Sequence, residues 1–119
     1  MKKIIIVDDD PAIQDAFSLI FSSEDYEITT YSDAGPLLNN TFSIPDLFIL
    51  DKQLSGVDGL DLCRVIKERP DTKHIPVIIL SASPDIYRLA QKAGADDVLE
   101  KPFRIKTLRE SVSRQLRLD

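Results

Sequence analysis

Apolar residues fall along this chain in two rhythms. Short unbroken runs, Ile4–Val7, Leu47–Leu50 ("LFIL") and Val77–Leu80 ("VIIL"), alternate with stretches where apolar side chains return every three or four positions. Unbroken runs of this length suit parallel strands covered on both faces, and the longer spacing suits amphipathic helices. The pattern predicts strands at Lys3–Asp8, Glu27–Tyr31, Leu47–Asp51, Val77–Ser81 and Asp97–Lys101. Helical stripes run through Ile13, Phe17, Ile20 and Phe21, then Leu62, Cys63 and Ile66. Two more use Ile86, Leu89, Ala90 and Ala93, and Ile105, Leu108, Val112 and Leu116. "SDAGPLLNNTF" reads as a shorter helix with Ser32 or Asp33 as N-cap. Asp10 before Pro11 and Asp58 before Gly59 read as N-caps, and Gly94 as the residue ending a helix.

Five βα units joined by right-handed crossovers predict an α/β fold, a doubly wound five-stranded parallel sheet in a three-layer sandwich. At 119 residues the chain fits one domain, residues 1–119. Hydrophobic residues make up 43% and charged residues 29%, as in ordinary soluble proteins. No apolar run nears the ~20 residues of a membrane span, and the N-terminal run ends in acid, unlike a signal peptide. Cys63 is the sole cysteine, so a reducing compartment, the cytoplasm, is expected, with Cys63 in the core. His74 lies in a polar loop, expected to be exposed.

The net charge of −5 is uneven. Residues 1–100 carry nine Lys/Arg against eighteen Asp/Glu, whereas 101–119 carry six against two. That basic stripe reads as a solvated helix face or a dock for an acidic partner, and it is too narrow for a nucleic-acid footprint. No direct nucleic-acid binding is expected of this domain.

Open parallel sheets bind ligands at the carboxyl ends of their strands. There the sequence places Asp8 after the first strand, Asp51 after the third, Ser81 after the fourth and Lys101 after the fifth. Asp8, Asp9 and Asp10 repel one another unless each has a separate task. Asp10 is accounted for as a cap. Asp8 and Asp9 facing Asp51 suit a hard divalent cation such as Mg2+, which takes one or two carboxylates and keeps sites for waters and phosphate oxygens. A carboxylate such as Asp51 can accept a phosphoryl group, whose oxygens then need cations and donors. Lys101 and Ser81 supply one of each.

Four segments in order, "IIIVDDDP", "LFILDKQLSGVDGL", "IPVIILSA" and "GADDVLEKPF", make the chain resemble the receiver domain of two-component response regulators from end to end. The resemblance implies a flavodoxin-like (βα)5 fold with Asp51 as phosphoacceptor. It implies Asp9 as a direct metal ligand, Asp8 acting directly or through water, and the Gln53 backbone carbonyl completing the protein's share of the Mg2+ shell. Ser81 and Lys101 stand where the family has its hydroxyl residue and its lysine, and a cis Lys101–Pro102 bond is implied as well. The implied partners are a histidine kinase or histidine phosphotransfer protein, and an output domain or partner protein on the face of the fourth helix, fifth strand and fifth helix. Such a domain is not an enzyme beyond its own phosphoryl transfer and slow autodephosphorylation. Two positions depart from the family pattern. Ser55 stands where Pro is usual, and Val98 where an aromatic switch residue is usual.

Other readings predict different chemistry. A haloacid-dehalogenase-type phosphohydrolase would use Asp8 and Asp10 as nucleophile and acid, but its lysine should precede its paired acids, and here Asp96–Asp97 come first. A flavin carrier would not surround a phosphate with "DDDP". A degenerate receiver, an interaction module that never takes phosphate, would lack some of the five chemical positions present here.

Overall fold

The computed structural model describes residues 1–22 and 25–117. Its elements run β1 (Lys2–Val7), α1 (Pro11–Ile20), β2 (Tyr26–Tyr31), α2 (Gly35–Leu38), β3 (Leu47–Asp51), β4 (Gln53–Leu54), β5 (Val57–Asp58) and α3 (Gly59–Glu68). They continue with β6 (Val77–Ser81), a 3-10 turn at Pro84–Ile86, α4 (Tyr87–Lys92), β7 (Asp97–Glu100) and α5 (Ile105–Leu116). The main sheet has the order β2-β1-β3-β6-β7, every pair parallel. From β1 the chain first winds to one side and then returns to the other. That reversal makes the fold flavodoxin-like and opens a crevice between the carboxyl ends of β1 and β3.

Alternation along the strands divides the core into two layers. Ile5, Val7, Phe48, Leu50 and Ile79 face α2, α3 and α4, meeting Leu37, Leu62, Cys63, Ile66, Ile86 and Ala90. Ile4, Ile6, Ile49, Ile78 and Leu80 face α1 and α5, meeting Phe17, Phe21, Leu108, Val112 and Leu116. The central strands are fully buried, which is why their sequences are unbroken apolar runs.

Caps fix the helices that leave the site edge. The Asp10 side chain accepts from the Ala12 amide at 2.9 Å, and Asp58 accepts from the Leu60 amide at 2.8 Å. Gly94 takes φ +91° just past α4, a conformation that L side chains rarely adopt. At α2 the N-cap is Ala34 rather than Ser32 or Asp33, although Asp33 Oδ1 accepts from the Gly35 amide at 2.8 Å.

Other details differ from the pattern. Leu89 and Ile105, assigned to buried stripes, are 50% and 53% exposed. After the 3-10 turn only Ile86, Ala90 and Ala93 of the α4 stripe turn inward, and Ile105 opens α5 beyond the packed layer. Asp96 and Asp97 both tie elements together. Asp96 pairs with Lys67 at 2.9 Å and accepts from the Val77 amide. Asp97 accepts from the buried Ser111 hydroxyl and from Arg114, fastening α5 to β7. Cys63 is buried, and burial pushes its thiol up to about 11.

Candidate functional site

Strand ends deliver the charged groups. Val7 closes β1, and the ladder carries on as the Asp8 amide donates to Tyr31 O at 3.0 Å. Asp8 is therefore held as firmly as a strand residue and is fully buried, while Asp9, one step on, turns outward and is exposed. Asp51 is the last residue of β3 and is 7% exposed. Lys101 follows β7, where its amide donates to Ser81 O at 2.7 Å and ties the two strand ends together. The Lys101–Pro102 bond is cis, and Phe103 beyond it packs on Phe17 with ring centroids 6.0 Å apart.

These placements bring four distant segments together. One carboxylate oxygen from each of Asp8, Asp9 and Asp51 lies within 4.8 Å of the others. Lys101 Nζ stands 3.0 Å from Asp8 Oδ2 and 3.2 Å from Asp51 Oδ1, bridging the two buried acids. The other Asp8 oxygen accepts from the Asp10 amide at 3.0 Å. Ser81 is 3% exposed, and its Oγ accepts from the Ser83 amide at 3.0 Å, leaving its own hydrogen to donate. All five groups line one cleft of about 880 Å³, whose far wall is formed by Leu54, Ser55, Asp85, Ile86 and Leu89.

Electrostatics follow the crowding. Burial, then repulsion from Asp8, raise the Asp51 carboxyl above its ordinary 3.8, while the Lys101 charge and the Gln53 backbone amide pull it partly back. Burial alone would lower the Lys101 ammonium. The hydrogen bond that Lys101 donates to Asp8 and the charges of Asp51 and Asp8 outweigh it and hold Lys101 above 10.5.

A divalent cation fits this set. Three carboxylate oxygens converge, two of their residues are buried, and one edge stays open to solvent.

The family model described as "Response regulator receiver domain" matches residues 4–113. The chain belongs to this family. The receiver is 34% identical over 119 residues to the DNA-binding response regulator MtrA of Mycolicibacterium smegmatis, covering 98% of this chain and 51% of that one. It thus spans about half the length of the curated relatives it matches. Among solved structures, a putative response regulator from Chloroflexus aurantiacus superposes with TM-score 0.88 at 33% identity, covering 98% of each chain. The receiver domain of the sensor histidine kinase PA1611 from Pseudomonas aeruginosa, solved with magnesium coordinated in its active site cleft, shares the fold. Its TM-score is 0.84 at 24% identity, over 97% of each chain. As a member of the family, the receiver is a signalling domain of two-component systems.

Asp10 borders the receiver's cleft, but its side chain caps α1 by accepting from the Ala12 amide, a structural task that a dehalogenase-type hydrolase would not give its second acid. Gln14 was not legible as a site residue. Its Nε2 donates to Asp8 O at 2.7 Å and to Ser32 Oγ at 3.1 Å, fixing the β1–α1 loop that carries the acids. The β4–β5 hairpin was also invisible, since two-residue strands carry no periodicity. His74 is exposed in its loop and Tyr87 is 53% exposed on α4, both outside the cleft. No described helix is long and apolar enough to cross a membrane.

Proposed function

We propose that this receiver is an aspartyl phosphoacceptor, loaded by a histidine kinase or histidine phosphotransfer protein. The observation that carries the reading is Lys101 Nζ bridging Asp8 and Asp51 at 3.0 and 3.2 Å, with Ser81 in the same cleft. An Asp51 carboxylate oxygen forms a bond to phosphorus as the P–N bond to the donor imidazole breaks. The nitrogen keeps that electron pair and takes up a proton. Asp8, Asp9, Asp51 and the Gln53 carbonyl would hold Mg2+, which would supply charge neutralisation to the transferring oxygens. Lys101 exchanges its hold on the Asp51 oxygen for a phosphoryl oxygen, and the Ser81 hydroxyl donates to another. The catalysis is confined to the domain's own loading and slow autodephosphorylation.

The output partner docks on the face of α4, β7 and α5, where Arg88, Arg109 and Arg114 are exposed. That face binds protein, not nucleic acid, in keeping with a net charge of −5 and cations concentrated on one helix. A reducing cytoplasmic setting accords with the free buried thiol of Cys63.

Incubation with acetyl phosphate and Mg2+ tests the reading. Mass spectrometry should find one added phosphoryl group, mapped to Asp51 and lost in Asp51→Asn. Label on Ser81 or His74, or no label, overturns it.

A further inference from the structure

Lys52 lines the cleft, yet it points its ammonium away from the acid triangle, to Asp58 Oδ2 at 2.8 Å. Asp58 answers with both oxygens, since Oδ1 caps α3 through the Leu60 amide. Burial would raise the Asp58 carboxyl, but the Lys52 hydrogen bond, the Leu60 amide and the Lys52 charge outweigh it and hold it below its ordinary value. Two backbone contacts lie beside the pair. The Gly59 amide donates to Lys52 O at 2.7 Å, and the Gly59 Cα sits so close to the Asp51 carbonyl that a Cβ there would fall 2.1 Å from it.

Residues 53–58 thus form a small hairpin closed at its base. Gln53 faces Asp58 and Leu54 faces Val57, with Gly56 at φ +75° in the turn. Gln53 is the first residue inside that closure, two positions past Asp51, and both line the same cleft. We propose that Lys52 and Asp58 are positioning residues, a clamp across the hairpin base that aims the Gln53 peptide at the Asp51 carboxylate. The clamp sets both the amide at Asp51 and the carbonyl offered to the metal. It deepens the phosphoacceptor reading and rests on it for the metal end only.

The sign of one effect separates the clamp from simple electrostatics. Removing a lysine near a dication site, by charge alone, tightens cation binding. Loss of the clamp weakens it. The test compares Lys52→Met, Lys52→Arg and Asp58→Asn, the last retaining a good N-cap. Amide shifts and hydrogen exchange at Gln53 are read without metal, and Mg2+ dissociation constants are read by calorimetry. Lys52→Met and Asp58→Asn should both shift the Gln53 amide, speed its exchange and weaken Mg2+ binding several-fold. The double variant should be no worse than either single one, and Lys52→Arg should stay near wild type. An unmoved Gln53 amide, or unchanged or tighter Mg2+ binding in Lys52→Met, overturns the clamp. A wild type that binds no Mg2+ while its Gln53 amide answers to both substitutions defeats the metal assignment and supports the clamp at Asp51.

Discussion

Lys101 and Asp8 are 93 residues apart in the chain and 3.0 Å apart in the fold. Asp8 has no exposed side-chain surface, and its carboxylate oxygens are partnered by this ammonium and by the Asp10 amide. Lys101→Met leaves two acids facing each other without a cation. Stranding a buried partner in this way costs roughly 3 kcal/mol. The Lys101 pKa is raised on folding, so this stabilisation is complete below 10.5 and lost only as pH rises through the folded value. Urea unfolding at pH 7 without metal should show the loss, and Mg2+ should stabilise the variant more than the wild type. Equal stability of the two would refute the bridge.

Metal binding to the folded state alone raises its stability, by about 2.7 kcal/mol at one hundred times the dissociation constant. Millimolar Mg2+ should therefore raise the melting temperature of the wild type. Asp9→Asn removes the exposed acid of the triangle and should erase most of that rise while leaving the metal-free melting point nearly unchanged. A full Mg2+ response in the variant would take Asp9 out of the site.

Asp51 makes the domain less stable as pH climbs. Its folded pKa lies above 3.8, so between 3.8 and that raised value the folded protein holds a proton that the unfolded chain has released. Stability falls across that window as pH rises. Asp51→Asn escapes the fall. Scanning calorimetry in metal-free buffer should find the variant melting higher at pH 7, with the gap closing as pH drops below 3.8. A gap that does not vary with pH would contradict the buried, repelled carboxylate.

The parts of the fold that the sequence made legible are those where one environment repeats. Leu47–Asp51 and Val77–Ser81 match their strands residue for residue because both faces of the sheet are covered along their length. The site follows from the same fact, since Asp8, Asp51, Ser81 and Lys101 are simply what comes where those runs stop. What stayed hidden depends on contacts that no period encodes. The 3-10 turn rotates α4 and leaves Leu89 on the cleft rim. Gly59 can be read as a turn, but not as the residue whose missing Cβ lets α3 press on the Asp51 carbonyl. Gln14 becomes a site residue only once β2 brings Ser32 beside it.

The Ser81 hydroxyl is latched to the Ser83 amide at 3.0 Å, so drawing it toward a phosphoryl oxygen must release the loop that leads into α4. Val98, buried and short, has no ring to swing in response. Addition of beryllofluoride with Mg2+, a phosphoryl mimic, should give large backbone amide shifts from Ser81 to Arg88 and small ones at Val98. A dominant change at Val98, or a silent α4, would sink this route.

Among the described residues the two core layers are separate clusters on opposite faces of the strands, so the sheet acts as a party wall between separately furnished rooms. Ile86, Ala90 and Val98 sit in one room, and Phe17, Phe21 and Leu108 in the other. Substitutions far apart with no shared partners add nearly independently. Repacking beneath α1 and α5 and repacking beneath α4 are thus close to separate problems. A lineage can rewrite one side of the molecule while the other keeps its old vocabulary, and the acids at the wall's upper edge answer to both.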